Sequence, residues 1–327
     1  MSRFMGLIFA ACLLAIATST GVMAADPTWP QSLTLGTASP GGIYYVYGDA
    51  LAQILTEKLG IAVNPLPTQG PVHNVKLLDS GGAQLGFTTM GVGLQGWNGT
   101  GDWTSGKSFR NMRALFPMYD TPFQAVVLRR SGIATFAQLD KKRAFVGPKA
   151  GTGGTYVPAI LKVLGISAEM NYGSFDVAAA ELLAGRADAI LTLTGAPVPA
   201  VQDAETKEPL TFISLAPEQI DAIRKAMPEF SPSKIAAGTY RGMEKEYVTF
   251  GVYNFAIGRA DLPDALVYQL VKAVFENQPR LLKASPAASD TLAQNVVKDT
   301  FLPFHPGAVR YYREIGISIP DALVPTN

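Results

Sequence analysis

Apolar positions along the chain switch between two spacings. A short apolar run closes at Thr34 and Leu35 and predicts a strand over 32–35. A polar Gly/Ser/Pro turn covers Gly36 to Gly42. Beyond it, Ile43, Tyr44, Tyr47, Leu51, Ile54 and Leu55 recur at helical spacing and predict a helix over 45–59, stopped by Gly60. The same order repeats: a strand over 62–65, a turn at Thr68-Gln69-Gly70-Pro71, a helix over 72–78, a stop at Ser80-Gly81-Gly82 and a strand over 83–88. This βαβαβ series predicts a mostly parallel sheet covered on both faces. Ligands on such sheets sit beyond the carboxyl ends of the strands. Those ends carry Thr37, Ser39, Gly41 and Gly42, then Thr68 and Gly70, then Thr88 and Thr89.

Residues 91–106 are glycine-rich with two tryptophans and read as a loop or a broken helix. Apolar character returns at 112–119, and 124–128 reads as a strand. A second α/β series follows: a helical turn at 135–139, a strand at 143–146, a loop at 147–155, a helix at 156–164, a helix at 175–183 and a strand at 189–193. Its glycine loop, GPKAGTGGT, stands at a helix start, as the first one does. Two such units predict two α/β lobes facing a cleft. Residues 247–257 form a strong β run, followed by a helix over 264–277. Two crossings, near 118–124 and 248–255, predict a two-stranded hinge. The expected division is 25–122 plus 253–327 for one lobe and 123–252 for the other, with the charged stretch 205–241 covering the outside of the second.

Residues 1–24 change this picture only at the end of the chain. Arg3, an apolar run over 7–17 and the small residues at Val22-Met23-Ala24 read as a cleaved export signal. The single cysteine, Cys12, lies inside it. The remaining chain therefore has no disulfide, thiol nucleophile or cysteine metal ligand. Lys+Arg number 27 and Asp+Glu 26, so no charge excess favours nucleic acid or a membrane surface.

Little enzymatic chemistry is visible. The two histidines, His73 and His305, are isolated, and no carboxylate cluster has metal-ligand spacing. There is no GxSxG elbow and no GxxxxGK[ST] loop, and no cofactor is expected. Two readings fit each glycine loop. One is an anion site: helix-start N–H groups lack partners and sit at the positive end of the helix dipole. Gly151, Thr152, Gly153 and Thr155 supply backbone donors and hydroxyls, and Gly41 and Gly42 leave the backbone bare. The other is an ordinary strand-to-helix connection, capped in the second loop by a threonine. Thr194 and Gly195 form a similar polar edge at a strand end. Tyr44 and Tyr45 fit either cleft or core, and Gln124 falls at the expected hinge.

In sequence order, TASPGGIYYVYG, TQGPVHNVKLLDSGGAQLGF, VGPKAGTGGTYVPAILKVLG, ELLAGRADAI and FHPGAVRYYREIGI resemble the TAXI family, the extracytoplasmic substrate-binding proteins of TRAP transporters. The GGxYYxxG loop and the HPGAxxYYxExG tail are the most specific parts. The resemblance implies a two-lobed periplasmic-binding-protein fold of type II-like architecture and a monomer in the periplasm. It implies capture of a small anionic solute, an amino acid such as glutamate or a dicarboxylate or keto acid, and delivery to TRAP permease subunits. It places Gly42, Tyr44, Asn74, Thr152, Gly153 and Thr155 toward the ligand. The family pattern Ser-Val-Glu-Asn is Pro71-Val72-His73-Asn74 here. A cleft-facing His73 would imply a more acidic ligand, or one without an amino group; a solvent-facing His73 would imply neither. An exported enzyme, or a sensor subunit for a membrane receptor, would use the same fold.

Overall fold

The computed structural model describes residues 26–298 and 300–325. The expected export signal, with Cys12, lies outside them. The first series is β1 (Ser32–Gly36), α1 (Ile43–Leu59), β2 (Ala62–Leu66), α2 (Pro71–Ser80), β3 (Leu85–Thr89) and α3 (Met90–Asn98). A long strand, β4 (Met112–Leu128), leads to the second series: β5 (Arg143–Phe145), α4 (Thr152–Val163), β6 (Glu169–Asn171), α5 (Phe175–Leu183) and β7 (Ala189–Leu193). Then come α6 (Pro199–Lys207), β8 (Leu210–Phe212), α7 (Pro217–Ala226) and β9 (Ser231–Ile235). The long strand β10 (Tyr247–Arg259) precedes α8 (Asp264–Glu276), α9 (Gln278–Ala284) and α10 (Pro306–Glu314).

The strands follow the order β2-β1-β3-β10-β4-β7-β5-β6. Within it one pattern occurs twice. β2-β1-β3 are parallel and are flanked by antiparallel β10. β6-β5-β7 are parallel and are flanked by antiparallel β4. Each half is a lobe, and the antiparallel pair β4–β10 joins them, with Gly251 opposite Pro122 and Arg259 opposite Met112. A 2-1-3 order sends the connections from the first strand to opposite sides. That leaves a crevice beyond the carboxyl ends of β1 and of β5.

Three expectations from the sequence shift, and one short strand is added to them. Residues 112–119 and 124–128 belong to one strand, because β10 pairs across the Pro117–Pro122 stretch between them. Pro117 has no N–H to give the ladder, and the register slips at Tyr253/Phe255 beside it. The second glycine loop is shorter than expected, since α4 begins at Thr152 and not at 156. The glycines Gly153 and Gly154 are its first turn. Residues 90–98 are a helix whose glycines allow close packing: a Cβ on Gly96 would meet the Trp103 ring at 2.9 Å. Finally, β6 is a three-residue strand too short and polar to show as a periodic run. Gly60 ends α1 in the left-handed conformation, at φ 68°.

Candidate ligand site

The cavity lies where both crevices meet. Ala38, Ser39, Gly42, Ile43 and Tyr44 reach it from the β1–α1 turn, and Gln69, Gly70 and Pro71 from the start of α2. The second lobe supplies Val146, Pro148, Gly151, Thr152 and Gly153, then Phe175 at the start of α5, and Thr192 to Gly195 from the end of β7. Tyr119, Thr121 and Asn254 form its floor on the joining strands. Among these described residues none is Asp, Glu, Lys, Arg or His. The room open to the centres of water molecules is about 40 Å³.

The floor is fixed by packing and hydrogen bonds. Tyr44 packs against Phe87 with ring centres 5.1 Å apart, and Tyr47 against Tyr119 at 5.7 Å. The Tyr44 hydroxyl donates to Asn254 Oδ1 at 2.5 Å, and Asn254 Nδ2 donates to the Tyr119 carbonyl at 2.7 Å and to Thr121 Oγ1. Burial holds the Tyr119 phenol well above its ordinary pKa, with Tyr44 and Tyr47 adding to the shift, so the group stays a neutral donor.

Three side-chain oxygens of residues that line the cavity have no partner. Ser39 Oγ, Tyr119 OH and Thr192 Oγ1 are buried and make no hydrogen bond. Tyr119 is 2% and Thr192 1% exposed. Unpartnered buried hydroxyls are uncommon, because each forfeits its hydration for nothing. Thr192 Oγ1 lies 3.2 Å from the point a Cβ on Gly153 would occupy, so it sits beside the first turn of α4. That same Cβ would lie 2.4 Å from the Val146 carbonyl, which is why only glycine fits there. Neither α1 nor α4 has a side-chain cap: their N-cap residues are Gly42 and Gly151. Thr152 is the first residue of α4, so it is not the capping threonine of the alternative reading. The free N–H ends of two helices, of 17 and 12 residues, thus face one small cavity from opposite lobes. They place partial positive charge there with no charged side chain.

Among the residues singled out from the sequence, Ser39, Gly42, Tyr44, Gly70, Gly151, Thr152, Gly153, Thr194 and Gly195 line the cavity. The others stand behind or beside it. Asn74 Nδ2 donates to the Thr37 and Phe87 carbonyls, both at 2.9 Å, and its Oδ1 accepts from Thr68 Oγ1 at 2.8 Å. Asn74, Thr37 and Thr68 therefore tie the ends of β1, β2 and β3 together. Thr88 Oγ1 donates to the Thr89 carbonyl, and Thr89 Oγ1 lies 3.4 Å from Thr152 Oγ1 across the cleft. Gln124 donates to the Thr194 carbonyl at 2.9 Å and accepts from the Tyr240 hydroxyl at 2.7 Å, so it holds the loop that lines the cavity. Thr155 Oγ1 bonds back to the Gly151 carbonyl at 2.9 Å. Tyr45 and His73 are partly exposed and off the wall; His73 Nδ1 accepts the Gln69 N–H at 3.3 Å. Position 73 thus gives no information about the ligand's charge. Arg113 bonds the Arg110 carbonyl and Arg129 is exposed, so neither enters the cavity.

Tyr119, Thr121, Asn254, Phe175 and Gln69 were not singled out from the sequence. The one signal for Asn254 is a lone amide inside the apolar run YVTFGVYNFAI, and for Thr121 a hydroxyl between aromatic residues.

The lobes are closed on the cavity. The Val72 N–H donates to the Ala150 carbonyl at 3.1 Å, and the Ala200 N–H to the Gly41 carbonyl at 3.2 Å. Gly41, at φ 79°, is in the left-handed region, and a Cβ there would meet Asp176 Oδ1 at 2.2 Å. A Cβ on Gly42 would meet the Phe175 ring at 3.0 Å, and one on Gly70 the Gly151 Cα at 3.2 Å. Bare backbone from the first lobe thus seats on bare backbone from the second.

A family model for the NMT1-like family matches residues 35–316. The chain belongs to the NMT1-like family. Its fold is that of periplasmic binding proteins. A structure described as the periplasmic binding protein BugD covers 90% of this chain and 99% of its own, at 12% identity and a TM-score of 0.56. PhnD1 from Prochlorococcus marinus, in complex with methylphosphonate, covers 88% and 99%, at 13% identity and a TM-score of 0.54. A structure described as a periplasmic transporter covers 80% and 87%, at 14% identity and a TM-score of 0.53. At these identities the likeness concerns the fold. Among the described residues no helix is long and apolar enough to cross a membrane, and no group of three or more His, Cys, Asp or Glu is placed to hold a metal ion.

Proposed function

We propose that this NMT1-like protein is a periplasmic solute-binding protein that captures a small carboxylate between its lobes. The observation that carries the reading is the uncharged cavity where two uncapped helix ends meet, lined by three residues whose buried hydroxyls have no partner. Backbone N–H groups hold an anion without a counter-charge and release it without breaking a buried ion pair. Binding shifts the lobes toward the closed state, which a membrane partner reads. The order of sequence blocks supports a TAXI-type protein delivering to TRAP permease subunits. The wall favours binding over catalysis: an activated nucleophile needs a base within hydrogen-bond reach, and Ser39 Oγ and Thr192 Oγ1 have no partner at all.

Thermal unfolding of the processed protein against a panel of small acids and neutral solutes tests this. An acid at about 100 times its Kd adds about 2.7 kcal/mol of stability, a rise of several degrees. A rise with one acid, recovered chemically unchanged, is the expected result. A rise with neutral solutes alone, or conversion of the acid, would refute it.

A further inference from the structure

A glycine inside a helix is a cost, because alanine holds the same backbone with less entropy to lose. Gly91 is the second residue of α3, in the first lobe. A Cβ built there would run into the Tyr156 hydroxyl oxygen, with Tyr156 Cζ at 3.0 Å and Glu229 Cγ at 3.2 Å. These are the three atoms nearest to that point, and all belong to the second lobe. The bare backbone at Gly91 therefore serves the seam between the lobes, not the packing of α3 on its own lobe. Gly96, on the same helix, shows the contrast: the atom nearest its missing Cβ is on Trp103, in the first lobe. The group that meets Gly91 is held firmly. The Tyr156 hydroxyl donates to Glu229 Oε1 at 2.9 Å, its ring packs on Phe230 with centres 4.9 Å apart, and the residue is 2% exposed. None of Gly91, Tyr156 and Glu229 lines the ligand cavity. Tyr156 and Glu229 face a separate outer groove between the lobes, with Lys76, Gln95 and Trp103 on its first-lobe side.

We propose that Tyr156 is a positioning residue for closure: its hydroxyl end, held by Glu229 and Phe230, seats on the bare backbone of Gly91 and sets how closely the lobes meet. The inference rests on the reading of capture by closure. This contact forms in the closed state whatever the solute, or with none. It therefore sets the closed fraction of the ligand-free protein, and the apparent affinity for any ligand scales with that fraction. Disulfide trapping on the ligand-free protein tests this. The chain from Ala25 onward has no cysteine. Thr89 Oγ1 and Thr152 Oγ1 lie 3.4 Å apart across the cleft, so Thr89→Cys with Thr152→Cys brings two sulfurs within bonding reach only when the lobes are together. Oxidised glutathione caps one cysteine in the open state; on closure the other displaces the glutathione, and mass spectrometry follows the loss. Adding Gly91→Ala should slow trapping at least about 10-fold, with a melting temperature no lower than the parent's, because alanine suits the helix and overlaps only the other lobe. Adding Tyr156→Phe to that variant should restore most of the rate, since the atom nearest the new methyl group is gone. An unchanged rate in Gly91→Ala would overturn the inference, and so would a slowing that Tyr156→Phe does not relieve; either result leaves carboxylate capture standing. No trapping in the parent cysteine pair, while each single cysteine still takes up glutathione, would overturn both this inference and the closure beneath it.

Discussion

Removing the unpartnered hydroxyls should move stability and affinity in opposite directions. Tyr119→Phe deletes a phenol oxygen, and Thr192→Val replaces a hydroxyl with a methyl group; neither oxygen has a protein partner. A buried polar group without a partner costs about 1–3 kcal/mol. At the lower end of that range each removal gains about 1 kcal/mol. The sites lie on different strands, β4 and β7, and the effects should add to about 2 kcal/mol. At about 2 °C per kcal/mol for a chain of this length, the ligand-free double variant should melt about 4 °C higher than the parent. Ligand affinity should fall, because each hydroxyl contributes about 0.5–1.5 kcal/mol, a loss of about 2- to 12-fold apiece. The assay is thermal unfolding after ligand removal by denaturation and refolding, paired with calorimetric titration. A double variant that melts no higher and binds as the parent does would refute the reasoning. The hydroxyls would then not be groups held ready for a ligand.

Other expectations follow from the same contacts. Gly42→Val puts a branched side chain where a single Cβ already meets Phe175 at 3.0 Å, at a backbone φ of −101° that valine accepts. It should block closure, weakening binding about 10-fold or more with little change in melting temperature, as calorimetry would show. Asn74→Ala strands the Thr37 and Phe87 carbonyls and should cost about 3 kcal/mol, seen as a lower denaturant midpoint with an unchanged slope. His305, fully buried at the start of α10, has its pKa pushed below the ordinary 6.5 by burial, with Asp264 opposing the shift from 3.6 Å. The folded chain therefore binds fewer protons than the unfolded one below pH 6.5, so stability should fall as pH drops from about 6.5. His305→Asn keeps an acceptor for the Gly307 N–H and should flatten that fall in pH-dependent unfolding curves; an unchanged slope would assign the fall to other groups.

The sequence disclosed the frame of the site better than its floor. Strand–glycine turn–helix segments show in one stretch of chain, because a glycine turn and a 3.6-residue period are both local. So Gly42, Gly151 and Gly153 are legible from the sequence as glycines at helix starts. Tyr119, Thr121 and Asn254 reach the same cavity from strands more than 130 residues apart in sequence, and their meeting depends on the antiparallel register of β4 and β10. No local pattern encodes that register. Asn74 shows the reverse case. Its family-matched position suggested the ligand, yet its side chain is spent on the Thr37 and Phe87 carbonyls. A motif marks where a residue is needed, not which neighbour needs it. His73 is similar: one helical step from Asn74, it faces away from the wall and caps the Gln69 amide.

Hydrogen exchange at two amides tests lobe closure directly. The Val72 and Ala200 N–H groups donate across the cleft to Ala150 and Gly41, and each bond exists only while the lobes are together. With the acid that raises the melting temperature present in excess, both amides should exchange at least about 100-fold more slowly than in the ligand-free protein, matching the binding free energy. Equal exchange at both amides with and without that acid, while it is demonstrably bound, would contradict capture by closure.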